Sequence, residues 1–161
     1  MVELLKTSVG HYLSFSLSPL HQAMVLSSEI EEVLTVHPSK ILSIFDLPAH
    51  VMGAYNYRGE ILWFIDLPKF LGLETLYEQH FRGQFSILLL EEGDQKVGVG
   101  INQIGPLSSG YIEPLSSDIA SNLPIEMAAC VNGVMSNQTG QPLYALSRRK
   151  IFQQIKALQT V

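Results

Sequence analysis

The chain has 161 residues and a single cysteine, Cys130, so it contains no internal disulfide. That lone thiol sits in an apolar stretch, residues 127–131, and reads as a small buried side chain rather than a nucleophile. Charge is scarce: Asp, Glu, Lys and Arg make up 16% of the residues against 47% hydrophobic, and the formal net charge is −5. Nucleic acid needs clustered Lys and Arg to displace counterions, and the only basic cluster here is Arg148-Arg149-Lys150. No apolar run approaches the ~18 residues of a membrane span, and the first ten residues, with Glu3 among them, lack the apolar core of a signal peptide. The expectation is a cytoplasmic protein with no direct membrane insertion and no nucleic-acid partner. With so little charge, some apolar surface should remain for protein partners.

Catalytic signatures are also missing. The histidines, His11, His21, His37, His50 and His80, are scattered, with no H-E-x-x-H and no carboxylate spacing suited to a metal. There is no G-x-S-x-G elbow and no Walker lysine motif. Gly98-Val99-Gly100 begins like a dinucleotide fingerprint, but Gln103 stands at the third glycine position and no helix-forming run follows. Those glycines read better as sites of close strand packing. The expectation is no catalytic residue, no metal and no cofactor.

What is present is β-patterned. Residues 51–57 and 61–65 are rich in Val, Ile and aromatic side chains around Asn56-Tyr57-Arg58-Gly59, which predicts a hairpin with Gly59 at positive φ. Asp66 is placed to cap a one-turn helix over 67–71, with Pro68 in its first turn and Gly72 as the left-handed stop. Residues 12–17 alternate as a strand and 22–26 can return, while Ser28-Glu29-Ile30-Glu31 forms a capping-box pattern, and propensity alone allows a helix from Leu20 to Leu34. Residues 85–90 and 96–101 read as a second hairpin, and residues 128–135 and 143–146 as a third. Residues 103–124 read as irregular because Pro106, Pro114 and Pro124 interrupt them. Ser147 caps a closing helix whose Ile151, Ile155 and Leu158 share one face, and Trp63 reads as a buried strand residue. A faint echo links Gly53, hairpin, Asp66 cap with Gly133, hairpin, Ser147 cap.

The pattern formed by Pro48, Val51, Gly53, Asn56, Arg58, Gly59, Ile61, Ile65, Asp66 and Leu67 resembles the CheW family of chemotaxis coupling proteins. The resemblance implies a mainly β fold of two SH3-like five-stranded barrels with short helices and a C-terminal helix, and in place of a helix from Leu20 to Leu34 it implies a strand, a single turn and a strand through Val36. It implies one domain over residues 11–158, with residues 18–73 in the first barrel and residues 11–17 plus 84–158 in the second. It further implies a non-enzymatic adaptor between a CheA-type histidine kinase regulatory domain and the cytoplasmic hairpin tip of chemoreceptors, recruited to membrane receptor arrays and serving chemotaxis or pilus motility. By that resemblance Asn56, Arg58 and Gly59 mark the signature turn, and Ile30, Glu32, Val33 and Met52 border the receptor-facing groove. Asn102 and Ser147 stand where the family often has Asp, and both keep the hydrogen-bonding or capping role. The competing readings are a stand-alone SH3-like peptide-binding module, which wants a row of aromatic side chains, and a small ligand-binding or hydrolase barrel.

Overall fold

The computed structural model describes residues 9–79 and 83–159. His80 and the amino-terminal stretch considered above lie outside them. The strands are β1 (Gly10–Ser18), β2 (His21–Leu26), β3 (Ile30–Val36), β4 (Val51–Tyr57), β5 (Glu60–Asp66), β6 (Phe85–Glu92), β7 (Gln95–Ile101), β8 (Gln103–Gly110), β9 (Val131–Ser136) and β10 (Pro142–Leu146). The helices are α1 (Leu67–Phe70), α2 (Ser117–Ala120), α3 (Ile125–Ala128) and α4 (Arg148–Gln159). Two five-stranded sheets result, β3-β6-β7-β5-β4 and β8-β1-β2-β10-β9.

The two sheets share one plan. In each, a hairpin from one half of the chain (β6–β7 or β1–β2) joins three strands from the other half, through a parallel pairing, β5 with β7 or β10 with β2. A short bridge completes each side: Leu42 with Ala54 in the first sheet, Glu113 with Val134 in the second. The glycines of the echo make those bridges possible. A Cβ on Gly53 would lie 2.3 Å from the Leu42 carbonyl oxygen, and one on Gly133 would lie 2.7 Å from that of Glu113. The repeat is therefore real, and each repeat unit is divided between the sheets.

That exchange corrects the expected barrel division. Residues 21–26 pair in the second sheet, while 85–92 and 95–101 pair in the first. The chain changes sheet at the 3-10 turn Ser27–Glu29 and again at Asn102, so strands adjacent in sequence are parted where a hairpin would be assumed. Residues 103–110 are also not irregular but form β8. The sheet edge tolerates Pro106, because a missing N–H there costs no ladder bond, and the register slips between the pairs Leu13↔Leu107 and Phe15↔Ile104, around Pro106. The third hairpin begins at Val131, since 125–128 wind into α3.

Burial explains the strand patterns. Leu88, Leu90, Val97, Val99 and Ile65 of the first sheet meet Phe15, Leu17 and Val25 of the second, with Leu67, Leu71, Ile151 and Phe152 from the helices, in a core between the sheets. Phe85, Ile87, Leu89, Leu62, Phe64 and Met52 fill the first sheet's own interior, and Tyr12, Met24 and Leu143 belong to that of the second. β6 is covered on both faces, which is why its sequence is a nearly continuous apolar run. Gly98 and Gly100 lie where a Cβ would strike Phe64 or Leu76, so close packing is their role. Cys130 is buried in the inter-sheet core, and burial pushes its thiol up to about 11.

Asp66 is the polar pin of the first half. Its buried carboxylate accepts from Lys69 N (3.2 Å) and so caps α1, and it also accepts from Thr75 Oγ1 (2.5 Å) and Leu76 N (2.9 Å). Gln79 does comparable work between the sheets: its amide donates to the carbonyls of Leu17 and Glu74, and it accepts from Asn102. Among the described residues no helix is long and apolar enough to cross a membrane.

Candidate protein-interaction surface

The hairpin tip between β4 and β5 is a two-residue turn in which Arg58 (φ 50°) and Gly59 (φ 87°) both lie in the left-handed region. This is the turn whose twist matches a right-handed strand pair. Asn56 holds it, accepting from Gly59 N at 3.0 Å, and a Cβ on Gly59 would meet nothing, so glycine is there for its backbone. Arg58 has a non-glycine backbone at a position that usually costs an L-residue about 1–2 kcal/mol.

The Arg58 guanidinium is 74% exposed, lies 4.9 Å from the centre of the Tyr57 ring, and approaches Glu32 at 3.5 Å. The Tyr57 hydroxyl donates to the same carboxylate, which pushes the phenol above its ordinary range. These contacts join β3 and β4, the two edges of the ladder, so the first sheet rolls over on itself at this end. Lys96 also stands near Tyr57, 5.7 Å from the ring centre, 3.4 Å from Glu31 and 4.0 Å from Glu60. Glu31 and Glu91 share a hydrogen bond that pulls the first carboxyl down and pushes the second up.

The structure thus brings together Glu32, Asn56, Arg58 and Gly59. Ile30 and Val33 are nearby on β3 but divided: Ile30 is half-buried against the inter-sheet core, and Val33 is exposed on the opposite strand face from Glu32. Met52 does not border a surface. It is buried in the interior of the first sheet, because the register slip between Val51 and Gly53 leaves Met52, Gly53 and Ala54 all covered.

A second feature was missed in the sequence. Trp63 is not buried but 43% exposed, and with the exposed Ile61 it lies on the outer face of β5, while Leu62 and Phe64 point inward. Trp63 forms part of the floor of an open groove of about 400 Å³. Val97 continues the floor, Leu47 to Val51 form one wall, and Phe152, Ile155 and Leu158 of α4 form the other. Lys96 stands at the groove's rim and connects it to the charged tip through Glu60. His50 lines it too, its imidazole pushed down by burial and partly restored by the Asp66 carboxylate. The available signals were the period of two that sets Ile61 and Trp63 on one face of a strand and the apolar stripe of α4. A separate exposed apolar segment, Leu42, Ile44 and Phe45, follows the 3-10 turn Pro38–Lys40, with Phe45 almost wholly exposed.

Among the described residues no three His, Cys, Asp or Glu side chains are grouped to hold a metal. His11, His21 and His37 each face a serine hydroxyl. What the surface offers is an apolar groove beside a fixed charged tip.

A family model described as CheW-like domain matches residues 11–156. Among solved structures, the fold is similar to the crystal structure of scaffolding protein TtCheW from Thermoanaerobacter tengcongensis, at 20% identity and a TM-score of 0.69, covering 87% of this chain and 90% of that one. A search of curated protein sequences returned no significant match. The family match makes this a non-enzymatic scaffold protein. The chain belongs to the CheW-like domain family, the scaffold and adaptor proteins of chemotaxis signal transduction.

Proposed function

We propose that this chain is a cytoplasmic adaptor that couples the hairpin tip of a chemoreceptor to the regulatory domain of a CheA-type histidine kinase in chemotaxis or pilus-motility signalling, at membrane receptor arrays. The observation that carries the receptor half is the groove floored by Trp63 and Val97, with Lys96 at its rim and the Glu32–Arg58–Tyr57 cluster beyond. A receptor hairpin is a pair of amphipathic helices. An apolar trough supplies affinity by burying one helical stripe, and charges at one end fix its direction. Asn56 and Gly59 serve this reading by shaping the turn, Val33 by adding exposed apolar surface on β3, and Ile30 and Met52 only by packing, against the inter-sheet core and inside the first sheet.

The exposed Leu42, Ile44 and Phe45 form a second apolar surface, suited to the kinase side, where a homologous barrel would cover it. A stand-alone module for proline-rich peptides fits less well, since such ligands lie on a row of aromatic rings and the groove offers Trp63 on its floor and Phe152 on one wall.

The test is calorimetric titration of the folded chain with each partner. Binding to both, with Trp63→Ala weakening only the receptor hairpin and Phe45→Ala only the kinase domain, supports the reading. Absence of binding to either partner by a chain shown to be folded overturns it.

A further inference from the structure

The first turn of α4 carries a cation where a helix favours an anion. Arg148 is the first residue of the helix, so its guanidinium faces the positive end of the macrodipole. What holds it there comes from two other elements. Arg148 Nε lies 2.8 Å from Glu92 Oε2 at the end of β6, and 3.7 Å from Glu29 Oε2 in the turn where the chain passes from the second sheet to the first. The 2.8 Å approach falls outside hydrogen-bond angles, yet both atoms are buried and neither has a hydrogen-bond partner, so each depends on the other's charge. Burial pushes the Glu29 carboxyl up, and the Arg148 charge opposes that.

Position gives this cluster its consequence. Arg148, Phe152, Ile155 and Leu158 follow one another at helical spacing, so the residue gripped by the two carboxylates starts the stripe that walls the groove. The floor belongs to the first sheet, as does Glu92, and the opposite wall to the segment leading into β4, while α4 buries Ile151 and Phe152 in the inter-sheet core and is tied to the second half through Ser147, which caps it, and Lys150, which donates to the Val131 carbonyl. Glu29 also immediately precedes Ile30 and the edge strand that presents Glu32.

We infer that Arg148 is a positioning residue, whose ion pairs with Glu92 and Glu29 draw α4 against the first sheet and set the width of the Trp63 groove. The inference about groove width stands on geometry alone, and its consequence for receptor affinity rests on the function proposed above.

Trp63 is the chain's only tryptophan and its ring lies in the groove, so its fluorescence reports groove width directly in the isolated full chain. Because Trp63 is 43% exposed, opening the α4 wall in Arg148→Ala raises its acrylamide quenching constant by up to about twofold, with a red-shifted emission maximum. Arg148→Lys restores part of the wild-type value, and Arg149→Ala, one position along the helix, leaves it unchanged. Should Arg148→Ala fail to fold, the double variant Glu29→Gln with Glu92→Gln removes the same pairs and carries the same expectation. Unchanged quenching in a folded variant that lacks these pairs overturns the inference. Increased quenching with unaltered affinity for a receptor-tip hairpin keeps the positioning role and overturns the groove as the receptor site.

Discussion

Replacing Arg58 by Asn separates folding from binding at the hairpin tip. Arg58 has φ 50°, where Asn and Gly are far better tolerated than a long side chain, and the variant restores the Asn-Gly pair that this turn type prefers. Relief of that backbone cost contributes roughly 1 kcal/mol. Against it stands the loss of an ion pair that is 74% exposed on the Arg58 side and 35% on the Glu32 side, worth roughly 0–1 kcal/mol. The cation over the Tyr57 ring adds little at so exposed a position. The two sides nearly cancel, so Tm followed by circular dichroism stays within about 4 °C of wild type, given 2–4 °C per kcal/mol for a chain of this size. Affinity for the receptor hairpin falls about tenfold or more, since the guanidinium that fixes orientation is gone. A fall in Tm above about 10 °C would show that Arg58 anchors the fold, and undiminished affinity would remove it from the interface.

Other expectations follow from burial and geometry. Trp63→Ala costs about 2 kcal/mol in a denaturant titration, less than the 3–5 kcal/mol of a fully buried aromatic, because over half of the residue is covered but not all. Gly53→Ala costs on the order of 3 kcal/mol or prevents folding, since φ is 145° and the new methyl would lie 2.3 Å from the Leu42 carbonyl oxygen. Cys130 resists alkylation at pH 8 in the native chain and reacts only on unfolding, because burial holds it as a thiol. The folded state binds that proton more tightly than the unfolded chain, so the thiol's contribution to stability is complete below pH 9.0 and is lost as pH rises towards about 11.

Local chemistry was legible in the sequence and long-range pairing was not. The Arg58-Gly59 turn, the Asp66 cap and the Ser147 cap are decided by residues within a few positions of each other, and the structure has all three. The fate of the β6–β7 hairpin depends on a parallel pairing between β5 and β7, more than thirty residues apart, which no local pattern encodes. β8 was hidden because proline argues against a strand only where its N–H would be needed, and whether a strand lies at an edge is a tertiary fact.

The site divided along the same line. Arg58 could be recognised as an odd charge at an apolar turn, and its partner Glu32 could be named by resemblance, but their meeting depends on the sheet rolling until β3 reaches β4. Met52 and Trp63 were placed the wrong way round, core for surface and surface for core. Both errors come from facing: a slip beside Gly53 turns one side chain inward, and the alternation of β5 turns the other out.

Coupling of receptor to kinase is measured by co-sedimentation. Vesicles bearing the receptor's cytoplasmic region are mixed with the CheA-type kinase in the presence and absence of this chain, and the pelleted kinase is measured. Kinase is expected to pellet with receptor only when the chain is added, and Trp63→Ala or Arg58→Asn to reduce the amount recovered. Kinase recovery that is the same with and without the folded chain would contradict it.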